Sequence, residues 1–198
     1  MRNVSGAAVL PDTFVPLRLS DRTFALKALA VLFGTLFLAS ASWIEVPMVP
    51  VPMNMQTFAV TLVGALYGWR LGAITVLAWL GEAMIGLPVL SGGAAGPAHF
   101  AGPTAGYLAA FPIAAMLVGF LAERGWTVGN VVRSFAVMLL GNALILALGA
   151  SWLAVLIGGE QAVALGVMPF LIGAALKSGL TVGVVEASRR LGRTSSEQ

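Results

Sequence analysis

Six stretches of this chain are runs of mostly apolar residues, at about 24–44, 57–68, 71–87, 104–122, 132–156 and 168–188. Crossing a bilayer takes about 20 apolar residues per helix, so the runs predict an all-α membrane protein with six transmembrane helices. Composition agrees. The chain is 59% hydrophobic and 10% charged, whereas soluble domains carry about 25% charged residues. The runs predict a cytoplasmic tail over 1–23, a six-helix membrane domain over 24–188 and a second cytoplasmic tail over 189–198. Residues 1–20 contain Pro11 and Pro16 and no compact apolar region before a small-residue cleavage site, so they read as a tail and not a signal peptide.

The basic residues orient the spans. Arg2, Arg18, Arg22 and Lys27 precede or open the first span, and Arg70 lies between the second and third. Arg124 and Arg133 lie between the fourth and fifth, and Arg189, Arg190 and Arg193 follow the sixth. The opposite connections, 45–56, 88–103 and 157–167, contain no Lys or Arg. Positive charge stays on the cytoplasmic side, which predicts both termini in the cytoplasm and an even number of spans. The net charge of +3 therefore reflects juxtamembrane anchors and does not imply nucleic acid. With no cysteine, disulfides, thiolate metal sites and cysteine nucleophiles are excluded.

Two outer connections are unlike solvated linkers. Residues 47–57, Pro-Met-Val-Pro-Val-Pro-Met-Asn-Met-Gln-Thr, are proline-rich and so extended and stiff. Residues 87–104 combine glycine, proline and apolar residues without a charge. A loop this apolar reads as a lid over a cavity between the helices, with a re-entrant structural loop as the alternative. Gln56 and Thr57 open the second span, where a helix N-terminus suits an anionic or carbonyl-bearing ligand; Thr57 reads equally as a cap.

Lys177 is the basic residue that falls inside a span. A charge at the bilayer centre costs about 2.5–3.5 kcal/mol on insertion scales, so its position calls for a ligand or a buried partner. Glu82 either pairs with it or sits at the aqueous boundary. Glu186, among arginines, reads as an interfacial ion pair. Asn142 reads from position alone as an interhelical hydrogen-bonding residue. The small residues Ala30, Gly34, Thr35 and Ala39 line the first span and let a helix approach closely. Catalytic motifs are missing. Leu176 stands where the phosphate-binding loop ending in Lys177-Ser178 would require glycine, and His99 has no HExxH partner. No GxSxG occurs either.

The string Val46-Pro-Met-Val-Pro-Val-Pro-Met-Asn-Met-Gln-Thr57, then Gly86-Leu-Pro-Val89 and Gly102-Pro-Thr-Ala-Gly-Tyr-Leu108, resembles the BioY family. Members of that family are the substrate-binding S components of energy-coupling-factor (ECF) biotin transporters. Leu121-Ala-Glu-Arg-Gly125, Gly141-Asn142 and Pro169–Gly173 with Lys177 extend the resemblance. It implies the ECF S-component fold in a prokaryotic cell membrane, with a vitamin site near the outer face under the two uncharged loops. It further implies biotin as the transported ligand and no cofactor. The implied partners are a transmembrane coupling protein, ATP-binding-cassette ATPase subunits that hydrolyse the ATP, and membrane lipid; a homo-oligomer is neither required nor excluded. The chain would not itself be an enzyme. Carried over to this sequence, the substrate-binding residues are Gln56, Thr57, Gly92, Gly93, Thr104, Tyr107, Asn142 and Lys177. The face Ala30, Gly34, Thr35, Ala39 is expected to dock the coupling protein. One departure stands out. The family reads Gly-Asp-x-x-Lys where this chain has Gly173-Ala174-Ala-Leu-Lys177, so Lys177 lacks its usual neighbouring acid. The rival readings are an S component for another small vitamin or a biotin precursor, and an intramembrane enzyme using Glu82 and Lys177 as acid and base.

Overall fold

The computed structural model describes residues 23–194. Helix α1 (Phe24–Trp43) leads into an antiparallel pair of two-residue strands, β1 (Glu45–Val46) and β2 (Met53–Asn54), with Glu45 opposite Asn54. Helix α2 (Gln56–Met84) is followed by a connection with 3-10 turns at Ser91–Gly93 and Pro97–Phe100. Helices α3 (Ala105–Glu123), α4 (Val131–Ile157), α5 (Gly159–Gly166) and α6 (Phe170–Thr194) complete the chain. Arg2, Arg18 and Arg22, on which part of the orientation argument rests, lie outside the described residues.

Five described helices, α1, α2, α3, α4 and α6, are long and apolar enough to cross a membrane. They supply six legs because α2 folds back on itself at Gly68, whose φ of 80° and ψ of 176° break the helix. Such a conformation is almost restricted to glycine. The break leaves the Trp69 N–H without a helical acceptor, and it donates to Glu123 Oε1 at 3.1 Å. Small residues then let the legs touch: a Cβ on Gly72 would fall 3.1 Å from Gly64 Cα, and one on Gly64 would fall 2.6 Å from the Ala115 carbonyl. The second and third expected spans are thus one helical hairpin against α3.

The first leg, residues 56–67, is about 18 Å long at 1.5 Å per residue, well short of the roughly 30 Å of hydrocarbon. Its N-terminus therefore lies below the membrane surface on that side. Irregular backbone at such depth persists only where protein covers it or a cavity adjoins it. This accounts for the apolar character of 45–56 and 87–104, which cover that end.

Two apolar clusters fill the bundle. One surrounds Trp79, Phe111, Tyr107, Ile145 and Leu153, with the Trp79 and Phe111 rings 6.0 Å apart. The other joins Leu62, Val118, Met138, Val182 and Val185 toward the opposite end. Cross-bonds fix the loop end: the indole N–H groups of Trp43, Trp79 and Trp152 donate to the carbonyls of Pro88, Val89 and Gly102. At the opposite end, buried Arg189 donates to the Thr127 carbonyl at 3.3 Å and pairs with Glu186 at 3.0 Å. The Glu186 ion pair is the one expected from the sequence.

Two expectations need correction. The connection 157–167, for which no helix was expected, contains α5 (Gly159–Gly166). The face Ala30, Gly34, Thr35, Ala39, expected to dock a coupling protein, packs inward. Gly34 and Thr35 are buried, a Cβ on Gly34 would collide with the Thr75 methyl, and the Tyr67 hydroxyl donates to the Ala30 carbonyl at 2.9 Å. The stripe brings α1 onto the α2 hairpin, and α1 turns Leu32, Phe33 and Leu36 outward instead.

Candidate substrate site

A cavity of about 280 Å³ lies at the loop end of the bundle. Its apolar walls come from Leu108 and Phe111 of α3, Ile145 and Leu146 of α4, and Phe170 of α6, and its cover includes Pro50, Pro52, Leu90 and Pro103. A mainly apolar pocket with a few polar groups is the usual form of a small-molecule site.

Five of the expected site residues meet here: Gln56, Thr57, Thr104, Tyr107 and Lys177 all line the cavity. The Thr57 and Thr104 hydroxyls make no hydrogen bond within the described residues and so are available to a ligand. Tyr107 differs in kind. Its hydroxyl donates to the Gly166 carbonyl at 2.8 Å, which leaves the ring as its main contribution to the wall. Gly92 and Gly93 do not line the cavity but form the turn beside Ser91, which does. Gly93 rests on the Trp43 indole, where a Cβ would fall 3.2 Å from the ring, and Gly92 faces the Glu45 carboxylate.

The structure does not bring Asn142 to the cavity. It is buried between α4 and α6, with its Nδ2 donating to the Met138 carbonyl at 3.1 Å and to Ser178 Oγ at 3.2 Å. Ser178 in turn donates to the Ala174 carbonyl at 2.7 Å. This is the interhelical role that position alone suggested.

Lys177 stands half-buried in α6 and makes no ion pair among the described residues. Glu82 lies outside the cavity lining and is not its partner. Among the described residues no Asp or Glu lines the cavity, whereas Lys177 and His99 both do. The electrostatics of the lining therefore favour an acidic group on the ligand.

Three polar residues of the lining, Asn54, Ser91 and His99, were not expected there, nor was Glu45 behind them. Asn54 and Ser91 belong to a hydrogen-bonded string. Ser91 Oγ donates to Glu45 Oε2 and accepts from Asn54 Nδ2 at 2.9 Å. The same Nδ2 donates to Gln56 Oε1 at 3.0 Å, and Gln56 Nε2 donates to Ser42 Oγ at 3.1 Å. Glu45 was legible as the acid in an outer connection without Lys or Arg, but its partner is 46 residues away.

The sequence profile of the BioY family matches residues 16–194. The chain belongs to the BioY family. Among its relatives, a probable biotin transporter BioY of Pyrococcus horikoshii is 35% identical over 164 residues, covering 81% of this chain and 96% of that protein. A biotin transporter BioY of Rhizobium etli is 38% identical over 142 residues, covering 68% of this chain and 76% of the relative. The crystal structure of the S-component for biotin from an ECF-type ABC transporter superposes with a TM-score of 0.76 at 32% identity, covering 87% of this chain and 95% of that one. The BioY chain described here thus has the S-component fold, a multi-pass membrane architecture with its cavity at the loop-covered end.

Proposed function

We propose that this chain is the biotin-binding S component of an ECF-type uptake transporter in a prokaryotic cell membrane, a transport subunit and not an enzyme. The observation that carries the proposal is the cavity itself: apolar walls, Lys177 and, among the described residues, threonine hydroxyls without a partner and no carboxylate in the lining. Biotin has a cyclic urea, an apolar thiophane and a valerate carboxylate. The walls suit the thiophane and the alkyl chain, and Lys177 meets the carboxylate with a charge-assisted hydrogen bond. With Ala174 in place of a neighbouring acid, the ligand itself supplies the counter-ion that the empty site lacks.

The basic residues Arg70, Arg124, Arg189 and Arg190 belong to the end opposite the cavity; positive charge gathered there supports a cytoplasmic side at that end and a cavity facing outward. Biotin enters from the outer face, and import then depends on a separate coupling protein and ATPase subunits. The outward apolar residues of α1, α4 and α6 meet lipid.

Mass spectrometry of small molecules released on denaturing the detergent-purified protein tests this reading. Biotin should be recovered at near one equivalent when cells are grown with it. Recovery of a different vitamin or a biotin precursor from cells supplied with biotin would overturn the ligand assignment, and a chemically modified biotin would favour an enzyme.

A further inference from the structure

The outer surface of the second leg of α2 and of α3 carries one pattern twice. On α2, Ile74, Leu77 and Met84 are exposed, and the same helix face begins at exposed Arg70. On α3, Ile113, Met116 and Phe120 are exposed, and that face ends at exposed Arg124. Steps of three, four and seven residues keep each set on one side of its helix. The two helices run antiparallel and side by side. The Trp79 and Phe111 rings lie 6.0 Å apart, and a Cβ on Gly119 would fall 2.5 Å from the Trp69 nitrogen. Both arginines therefore stand at the end opposite the cavity, beside the junction where the Trp69 N–H donates to Glu123.

Each guanidinium lies over an aromatic ring of its own helix. Arg70 Cζ is 4.8 Å from the Trp69 ring centre, and Arg124 Cζ is 4.0 Å from that of Phe120. A cation–π contact uses the face of the guanidinium and leaves its fork of N–H donors, which matches a phosphate, unspent. Among the described residues neither arginine makes an ion pair or a side-chain hydrogen bond. Glu123 is the acid at this junction, so its charge against the two arginines leaves a single positive charge to be met. From Arg124 to Ile113 is about 16 Å of helix at 1.5 Å per residue, close to the roughly 15 Å of one hydrocarbon leaflet. The apolar face thus has the length of an acyl chain and a cation at its head.

We propose that Arg70 and Arg124 hold the phosphodiester of one anionic phospholipid in the leaflet at this end, with its acyl chains along Ile74 and Leu77 and along Ile113, Met116 and Phe120. An anionic headgroup such as that of phosphatidylglycerol brings one negative charge and no cation, which matches the single charge in excess. A choline headgroup would bring the arginines a like charge. The site is separate from the cavity and independent of the ligand held there. A lipid bound in it ties the break in α2 at Gly68 to the end of α3.

Native mass spectrometry of the full chain in detergent tests this, by measuring dissociation constants for phosphatidylglycerol and for phosphatidylcholine with the same acyl chains. The unaltered protein should prefer phosphatidylglycerol by about tenfold in its first, saturable binding step. That preference should fall about fivefold in Arg70→Gln and in Arg124→Gln. Arg133→Gln removes an exposed cation of the same end that lies on no ring among the described residues, and it should leave the preference unchanged. Biotin affinity should be the same in all three variants. Glycerol phosphate at millimolar concentration should not displace the lipid, because it has no acyl chains. No preference in the unaltered protein, or an equal fall in Arg133→Gln, would overturn the site in favour of diffuse surface charge. Displacement by glycerol phosphate would overturn the lipid in favour of a soluble phosphate. Lost coupled uptake in Arg70→Gln and Arg124→Gln at an unchanged lipid preference would overturn it in favour of a protein partner. If one glutamine variant fails to fold, the other carries the comparison.

Discussion

Replacing Lys177 with glutamine should make the protein more stable and a poorer binder. In the empty cavity the ammonium is half-buried in α6 without an ion-pair partner among the described residues, so its insertion cost, at most about 2.5–3.5 kcal/mol, is uncompensated by any carboxylate there. Glutamine removes that cost, and the ligand-free variant should melt above the unaltered protein. A hydrogen bond to a charged group contributes about 1.5–3 kcal/mol, or roughly 10–150-fold in Kd. Because Lys177 is not fully buried, solvent screening places the effect toward the lower part of that range, about 10–30-fold. Titration calorimetry with biotin and with biotinamide, whose tail is neutral, separates the carboxylate contact from general pocket damage. The unaltered protein should prefer biotin by about the same factor, and the variant should bind the two alike. Equal losses for both ligands, or an unchanged Kd for biotin, would refute the Lys177–carboxylate contact.

Gly68→Ala should destabilise the fold by about 1–3 kcal/mol from backbone strain alone, with a further cost because the new methyl would displace the Glu123 carboxylate; thermal unfolding in detergent measures it. Asn142→Ala should cost about 0.6–2 kcal/mol of interhelical bonding and leave the biotin Kd within about threefold, since that amide faces Ser178 and not the cavity. A large loss of affinity at unchanged melting temperature would show that Asn142 does reach the ligand. Gly149→Ala would set a methyl against the Tyr107 ring. As Tyr107 lines the cavity, biotin affinity should fall about tenfold or more on equilibrium titration.

The parts of the fold that were legible in the sequence are those governed by local rules. Span length, the basic residues at one end and the uncharged loops at the other gave six legs and a cavity beneath the loops. Arg70 between the short apolar runs 57–68 and 71–87 marked a junction, and the structure resolves it as the break in α2 at Gly68. Lys177 was visible because charge inside an apolar run is rare. What stayed hidden depends on helix rotation and on distant pairing. One residue along a helix turns a side chain by about 100°, so hydropathy could not say whether Asn142 faced the cavity or Ser178. The same ambiguity hid the inward turn of Ala30, Gly34, Thr35 and Ala39, because lipid accepts either face of such a helix. The Glu45–Ser91 bond joins two loops that no sequence periodicity relates.

The most direct test is titration of the ligand-stripped, purified protein with biotin in detergent. Capture at this cavity predicts saturable binding of one biotin per chain, competed by unlabelled biotin and weakened by Lys177→Gln. No saturable binding, or binding indifferent to Lys177→Gln, would contradict it.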